Sequence, residues 1–369
     1  MNQKIALIFL GDYRFDGRCI NMINTLVKTN SVHIFHVKKN ANDDGNIISK
    51  NLTEVNIQPT QKKIFKYIHW TILIYQLFKK NTFQKIIASD LYSLFPIYLG
   101  KKKNKVIYDS REIFTELAAH HNSKIKKYII KIIENLCLKK VSTILTSANS
   151  DTSFIKKKYN HYPNIKYYTI FNFPKMISIN QKSNYLRSKY NISKNDIILI
   201  YQGVLQEGRG IQQMISIVEN TENTVGVIVG DGEEKYNYKK YVQNNSLNNK
   251  IYFIDSVPYL KLLQITCSAD IGLALIRQIG VSYKYALPNK LFEYAICGIP
   301  CLSSNLPNMK IFIDKYALGI CVNNNLNTQI SAIKQLALTD NQKKYFNNRF
   351  NQELIWEFQE KKFTDIVCN

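Results

Sequence analysis

Short apolar runs alternate with amphipathic stretches along this chain, and the alternation occurs twice. Buried parallel strands produce continuous apolar runs of this kind, and the helices between them produce a helical periodicity. The first series of predicted strands covers residues 5–10, 31–37, 85–89, 105–110, 142–148 and 167–174. The second series covers residues 196–203, 223–232, 250–257, 269–276 and 298–305. The pattern therefore predicts an α/β protein with two doubly wound parallel sheets.

The length of 369 residues also favours two domains, because a single hydrophobic core stops growing at about 250–300 residues. A polar stretch at 175–188 follows the first series of strands and is the predicted linker. We place an N-terminal domain at 1–175, a C-terminal domain at 176–345 and a final helical segment at 346–369.

The sequence shows no apolar run long enough to span a bilayer, and the opening run 5–10 is too short for a signal peptide. The seven cysteines form no CxxC pair, which is typical of buried thiols in a reducing compartment. No cluster of acidic residues and histidines has metal-site spacing, so no metal is expected. We expect a cytoplasmic protein that can lie peripherally on the inner face of the cell membrane.

The net charge of +23 is unevenly distributed. Residues 1–175 contain 29 lysines and arginines against 11 acidic residues, whereas residues 176–369 contain 21 against 16. A basic half indicates an anionic partner, such as a membrane surface, a phosphorylated lipid or a nucleic acid.

Two basic segments in the first half, 62–80 and 124–140, combine apolar residues with lysines, as interfacial helices do. For 124–140 we expect the apolar face to pack on the sheet. For 62–80, packing on the sheet and binding to an anionic membrane both remain open. In the second case Trp70 and Phe78 are expected to supply the apolar contact.

The segment 283–305 carries the clearest functional pattern. Pro288, Asn289 and Lys290 precede an amphipathic run, and Gly298 follows it, so the run is a helix with proline at its start and glycine at its end. The start of a helix offers free backbone N–H groups and a positive dipole end, which suit a phosphate. Glu293 lies about one turn further along, where a carboxylate can accept hydrogen bonds from sugar hydroxyls.

Glycine-rich turns follow the predicted strands 196–203 and 223–232. Such turns at the start of a helix bind phosphates through backbone N–H groups. Arg209 lies where the helix after the first turn begins, so its charge can stabilise a departing diphosphate.

In order and spacing, these segments resemble the donor motifs of retaining glycosyltransferases of family 4, which have the GT-B fold. The resemblance implies two Rossmann-like domains that face each other across a cleft, with a nucleotide diphosphate sugar as co-substrate and no further cofactor. It implies catalytic roles for Arg209, Lys290 and Glu293. The donor-binding residues that it implies are Gly203, Gly208, Gly230, Gly232, Val257, Pro258, Tyr285, Leu287, Pro288 and Asn289.

Two positions depart from the family pattern. Val204 stands where the family usually has an arginine after the loop glycine, and Lys290 is our candidate replacement for that cation. Tyr285 stands where the family has the first of two glutamates. Backbone groups between residues 282 and 287 are therefore expected to contact the sugar instead.

Two segments of the first half, 11–18 and 108–117, resemble family loops that approach the acceptor. Arg111 occupies the place of the family's histidine, and a guanidinium group stays protonated, so no general base is expected there. The implied acceptor-binding residues are Gly11, Asp16, Arg18, Asp109, Arg111 and Glu112. His120 and His121 follow closely and are expected to face solvent or to cap a helix.

The resemblance implies a retaining glycosyltransferase that acts on a saccharide or lipid-linked saccharide acceptor in bacterial surface polysaccharide biosynthesis. The pair Trp356 and Glu357 resembles the family's final helix, which crosses back to the first domain. A nucleotide-sugar 2-epimerase of the same layout is the nearest alternative. A basic nucleic-acid-binding protein is a second alternative, but the chain shows no helix-turn-helix, RRM or KH pattern, so no nucleic acid is expected.

Overall fold

The computed structural model describes residues 3–39, 47–60, 62–100, 105–116, 123–177, 183–338 and 353–369. The chain divides into two compact units, Met1–Phe171 with Gln359–Asn369, and Asn172–Phe358. The first boundary lies close to the predicted residue 175, and the second lies beyond the predicted residue 345. The two histidines His120 and His121 lie outside the described residues.

Parallel strands form the sheet of the first unit. They are β1 (Lys4–Ile8), β2 (Ser31–His36), β3 (Leu52–Asn56), β4 (Lys85–Ala88), β5 (Lys105–Ser110), β6 (Val141–Thr146) and β7 (Lys166–Thr169). Their order in the sheet is β3-β2-β1-β4-β5-β6-β7. The edge strand β3 was not predicted, because Thr53 and Glu54 face solvent and only part of the strand is apolar.

The helices of the first unit are α1 (Gly17–Leu26), α2 (Lys63–Lys80), α3 (Leu91–Leu99), α4 (Lys124–Leu138) and α5 (Asn149–Lys158), with short 3₁₀ turns at Tyr13–Phe15 and Phe114–Glu116. Polar side chains cap the N-termini of several of these helices. Asp16 caps α1, Asp90 caps α3 and Ser123 caps α4, each accepting a hydrogen bond from a backbone N–H of the first turn. Residues of α2, α3, α4 and α5 share one hydrophobic core with strands β1, β2, β4, β5 and β6.

The second unit contains a second parallel sheet. Its strands are β8 (Ile197–Gln202), β9 (Thr224–Val229), β10 (Ile251–Ile254), β11 (Ile271–Ala274), β12 (Cys301–Ser304) and β13 (Gly319–Val322), in the order β10-β9-β8-β11-β12-β13. The prediction of two doubly wound parallel sheets is therefore confirmed. Strand β13 was not predicted. Several predicted strands extended too far, and after β11 the reason is that the adjoining Leu275 and Ile276 are also apolar and buried.

The helices of the second unit are α6 (Tyr185–Tyr190), α7 (Ile211–Glu219), α8 (Lys235–Asn244), α9 (Tyr259–Thr266), α10 (Val281–Lys284), α11 (Asn289–Ile296), α12 (Pro307–Tyr316) and α13 (Leu326–Leu338). Helix α11 confirms the helix predicted in 283–305. Pro288 precedes it, and Gly298 follows it with φ +68°, a left-handed conformation that favours glycine.

The last helix is α14 (Trp356–Cys368). Its residues up to Phe358 belong to the second unit, and its residues from Gln359 onward belong to the first unit. Within the second unit, the Trp356 backbone N–H donates to the carbonyl of Pro174. Within the first unit, the Gln359 side chain accepts from the backbone N–H of Phe171 and donates to its carbonyl, at 2.9 and 2.6 Å. Glu360 accepts from Thr25 on α1. Side-chain hydrogen bonds therefore hold this helix against the first unit.

Helix α2 offers a direct test of this packing. Trp70 is wholly buried in the core, whereas Phe65 on the same helix is 62% exposed. We expect Trp70→Ala to lower the free energy of unfolding by about 3–5 kcal/mol, since a large cavity replaces the indole ring. Phe65→Ala is expected to change it by less than about 0.5 kcal/mol. Urea denaturation followed by circular dichroism measures both, and equal losses would contradict the described orientation of α2.

Candidate functional site

The strand order of the second unit reverses between β8 and β11, which creates a crevice at the carboxyl ends of these strands. The loop 203–210 after β8 and the loop 275–288 after β11 meet there. The carbonyl of Gly208 accepts from the backbone N–H of Arg277 at 2.9 Å. The sequence alone indicated both loops, and the topology brings them together.

Two glycines make this close approach possible. A Cβ atom at Gly210 (φ +89°) would lie 2.1 Å from the carbonyl oxygen of Leu275. A Cβ atom at Gly230 (φ +146°), directly after β9, would lie 2.0 Å from the carbonyl oxygen of Gly203. Any side chain at these positions would therefore force the loops apart.

Lys290 lies in the first turn of α11 and is buried. Its Nζ atom lies 3.5 Å from the ring centroid of Tyr201 and close to Gly203. Burial and the neighbouring charge of Arg209 together lower the pKa of Lys290 to about 7, although Glu293 acts in the opposite direction. This lysine is thus held in a place that disfavours its charge unless an anion is present.

Arg209 lies beside Lys290, directly before α7. Its guanidinium carbon lies 4.8 Å from the ring centroid of Tyr283, and its Nε atom is buried without a hydrogen-bond partner among the described residues. Within the described part of the chain, neither Arg209 nor Lys290 forms an ion pair with a carboxylate. Two adjacent cations with this much unsatisfied charge form a binding place for an anion.

Glu293 follows Lys290 by about one turn of α11 and is also buried. The side-chain amide of Gln202, at the end of β8, donates to its Oε2 atom at 2.5 Å. The amide oxygen of Gln202 accepts in turn from the hydroxyl of Thr266 at 2.6 Å. Sequence reasoning missed Gln202 and Thr266, which orient the carboxylate. The signal for Gln202 was its place as the last residue of a strand before a glycine turn.

The other predicted donor-binding residues lie at the same edge of the sheet. In the loop before α11 the carbonyl of Tyr285 accepts from Asn308, and the Asn289 side chain accepts from Asn172. Val257 and Pro258 lie in the loop after β10, further along the sheet than the two meeting loops. The half-buried residues of the set are Gly232, Val257, Pro258, Tyr285, Leu287, Pro288 and Asn289.

In the first unit, four of the predicted acceptor-binding residues form one network of ion pairs. Arg18 and Asp109 are buried against each other with their closest atoms 2.6 Å apart. Arg111 bridges Asp109 and Asp16 at 2.9 and 2.7 Å. Burial alone would raise the pKa of Asp109, but the two guanidinium groups outweigh it and hold the pKa below its usual value.

This network changes what its members can do. The Asp109 carboxylate has no exposed surface, so the geometry gives Asp109 and Arg18 a role in positioning the end of β5. Glu112 is exposed, and Gly11 is half-buried beside Phe9, whose ring lies 5.0 Å from the Arg111 guanidinium carbon. The predicted contact of these residues with an acceptor stays a prediction.

Asp151, in the first turn of α5, was not singled out from the sequence. Burial, with a smaller contribution from nearby Glu112, raises its pKa to about 6, although hydrogen bonds from Ser150 and Ser147 oppose the shift. Asp151 lies shortly after the carboxyl end of β6, and Asp109 lies at the carboxyl end of β5. The rule that drew attention to Asp109, a carboxylate at the carboxyl end of a parallel strand, would also have found Asp151.

Among the described residues, no group of three or more His, Cys, Asp or Glu side chains could hold a metal ion. In that same part of the chain, each helix is too short or too polar to cross a membrane.

Comparison with known proteins bears on the resemblance. Residues 183–352, which contain the two meeting loops and α11, match the family "Glycosyl transferases group 1". This part of the chain is therefore similar to group 1 glycosyltransferases, as the sequence indicated.

Individual relatives are glycosyltransferases as well. The chain is 24% identical over 402 residues to a glycosyltransferase of Methanocaldococcus jannaschii, covering 99% of this chain and 98% of the relative. It is 28% identical over 147 residues to the O-antigen biosynthesis glycosyltransferase WclY of Escherichia coli, covering 39% of this chain and 38% of the relative.

A solved structure shows the fold. Anabaena HepE in complex with UDP and glucose is similar with a TM-score of 0.72 and 12% identity, covering 100% of both chains. The fold of this chain is therefore GT-B, as the sequence predicted.

The depressed pKa of Lys290 has a measurable consequence for the stability of the protein. The unfolded chain keeps this lysine protonated up to its ordinary pKa near 10.5, whereas the folded chain releases the proton near pH 7. Because the unfolded state binds more protons between these values, stability rises with pH by up to about 1.4 kcal/mol per pH unit.

We expect Lys290→Met to remove this contribution. The difference in unfolding free energy between the native and variant proteins should change in favour of the native protein as the pH rises from 7 to 9. Urea denaturation at several pH values measures it. Parallel stability curves would show that Lys290 stays protonated throughout this range.

Proposed function

We propose that this glycosyltransferase moves a sugar from a nucleotide diphosphate sugar to a saccharide or lipid-linked saccharide, with retention of anomeric configuration. The observation that carries the proposal is the pair Arg209 and Lys290 at the crevice between β8 and β11. Two neighbouring cations without a carboxylate partner among the described residues match the charge of a diphosphate. In the structure with UDP and glucose, a nucleotide diphosphate is the ligand of a protein with this fold.

The cations would act on the leaving group. As the bond between the anomeric carbon and the diphosphate oxygen breaks, negative charge grows on the diphosphate, and Arg209 and Lys290 stabilise it. The acceptor hydroxyl oxygen bonds to the anomeric carbon on the same face. Its proton passes to the departing diphosphate oxygen, so no histidine base is needed. The charges of Arg209 and Lys290 would stabilise the leaving group directly. We propose that the nucleotide sugar is the co-substrate and that no further cofactor takes part.

Glu293 would hold the nucleotide ribose. Its carboxylate is buried one turn beyond Lys290 and is oriented by Gln202, so it is prepared to accept hydrogen bonds from two hydroxyl groups. Backbone groups of residues 282–287 would then contact the transferred sugar, since Tyr285 brings no carboxylate. Glu112 and Arg111 of the first unit remain our candidates for contact with the acceptor.

The acceptor side of the proposal is supported by the relative WclY, an O-antigen biosynthesis glycosyltransferase. We propose that this protein acts in bacterial surface polysaccharide biosynthesis, in the cytoplasm and at the inner face of the cell membrane. The alternative of a 2-epimerase needs acidic residues and histidines around the donor. All six histidines of this chain lie between residues 33 and 161, outside the second unit. Incubation of the donor without an acceptor would reveal an epimerase.

Glu293→Gln is expected to weaken the binding of UDP or GDP by about tenfold or more, because hydrogen bonds to a charged group contribute about 1.5–3 kcal/mol. Glu219→Gln, the same change at an exposed position of α7, should leave binding unchanged. Isothermal titration with both nucleotides measures the affinities, and circular dichroism checks the fold. An unaltered affinity in Glu293→Gln would remove Glu293 from the ribose site.

Arg209→Ala and Lys290→Ala are expected to lower kcat more than they weaken donor binding, since their charges act most strongly in the transition state. A loss of one to two orders of magnitude is expected for one electrostatic contact, about 1.4–2.7 kcal/mol. Arg277→Ala is the matched control, because Arg277 lies half-exposed in the same loops and pairs with Glu207. If only KM changed, both cations would act in ground-state binding alone.

Activity is expected to persist in EDTA.

A further inference from the structure

The first unit exposes two apolar stripes on neighbouring helices. On α2 the stripe consists of Phe65, Ile68 and Ile72. On α4 it consists of Ile125, Tyr128, Ile129 and Ile132, with Ile125 74% exposed. Residues at spacings of three, four and seven lie on one face of a helix, so each stripe is continuous. Together we call these seven residues the α2–α4 face.

Both stripes lie on the same side of the sheet. The opposite sides of α2 and α4 enter one core, through Trp70 and Ile74 on α2 and through Cys137 and Leu138 on α4. Helix α3 packs against both helices and lies between them. The two stripes therefore flank α3 on one outer surface.

The buried sides correct two expectations from the sequence. Trp70 and Phe78 were expected to supply an apolar membrane contact, but both belong to the core because they point toward the sheet. Segment 124–140 was expected to use its apolar residues only for packing. It has enough of them to cover the sheet on one side and to form an exposed stripe on the other.

The position of the face along the sheet is also informative. Helices α2 and α4 follow strands β3 and β5, so both begin at the carboxyl edge of the sheet. The exposed stripes occupy the first halves of these helices. The face thus lies toward the edge that carries Arg111 and Glu112, the residues that we assign to the acceptor.

The charge of this region is almost entirely positive. Residues 62–80 contain five lysines and no acidic residue, and residues 124–140 contain six lysines and one acidic residue, Glu134. Glu134 is buried, where it pairs with Lys158. Two copies of such a surface would repel each other, whereas an apolar stripe with a rim of lysines matches an anionic bilayer surface.

We propose that the α2–α4 face docks the glycosyltransferase on a membrane surface that contains anionic lipid. The side chains of both stripes enter the region between headgroups and acyl chains, and the lysines contact the anionic headgroups. This inference deepens the proposed function and rests on its lipid-linked acceptor, whose sugar would be held at the headgroup level beside the carboxyl edge of the first sheet.

The test is flotation of the full-length protein with vesicles, without donor or acceptor. One set contains phosphatidylcholine alone, and the other contains phosphatidylcholine with phosphatidylglycerol. We expect binding to the mixed vesicles, little binding to the neutral ones, and a decrease with salt. Lys124→Gln and Lys131→Gln should each weaken binding about fivefold, which corresponds to about 1 kcal/mol per lysine.

The apolar contribution is tested by Ile125→Ser with Ile129→Ser. Both side chains are exposed, so the variant should fold like the native protein and lose the part of vesicle binding that resists salt. Ile311→Ser with Leu260→Ser changes two equally exposed residues of the second unit and should bind like the native protein.

Equal binding to neutral and anionic vesicles, no binding to either, or full binding by Ile125→Ser with Ile129→Ser would overturn the proposal. So would a native dimer that this variant converts to a monomer in analytical ultracentrifugation without vesicle binding, since a second copy would then occupy the face. Titration with UDP and GDP is carried out in parallel. A protein that binds nucleotide but no vesicle contradicts only the docking surface, whereas one that binds vesicles but no nucleotide contradicts the proposed donor site.

Discussion

The reversal of strand order between β8 and β11 is the constraint on which the candidate site depends. In a parallel sheet all carboxyl ends lie at one edge, and at a reversal the chain leaves the two adjacent strands toward opposite faces of the sheet, which creates a crevice. Here Gly210 lets the backbone after β8 approach the backbone after β11. The close contact leaves Lys290 and Arg209 beside each other at the crevice, with aromatic rings as neighbours. If the loops stood further apart, water would surround both cations.

The two units treat their charges in opposite ways. In the first unit Arg18, Asp109, Arg111 and Asp16 neutralise each other in a largely buried network, which leaves little net charge at the end of β5. In the second unit, burial lowers the pKa of Lys290, and the neighbouring positive charge of Arg209 acts in the same direction. An excess of charge that folding itself does not neutralise favours a charged ligand. Under the proposed function that ligand is a nucleotide diphosphate donor, and a neutral saccharide would suit the neutralised edge of the first unit.

The basic character of the first unit has a separate origin in its outer helices. Lysines of α2 and α4 surround apolar stripes that folding leaves uncovered, although the same helices bury other apolar residues against the sheet. A helix that needed only to pack on the sheet would carry polar residues on its outer face. The lysine excess, which the sequence showed only as an average over residues 1–175, is thus concentrated beside exposed isoleucines and aromatic rings.

The sequence by itself determined the two series of parallel strands, the helix between Pro288 and Gly298, and the group of residues from Gly203 to Glu293. These features are local, since periodicity, proline and glycine act within a few residues. Only the tertiary structure decided how charges pair and which apolar side chains are covered, because both depend on residues far apart in the chain. Arg18 meets Asp109, Gln202 meets Glu293, and Trp70 points inward while Ile125 points outward. No local pattern distinguishes a carboxylate that will be neutralised by a distant arginine from one that will face a ligand, and so the pairing of Asp109 with Arg18 became visible only in the folded chain.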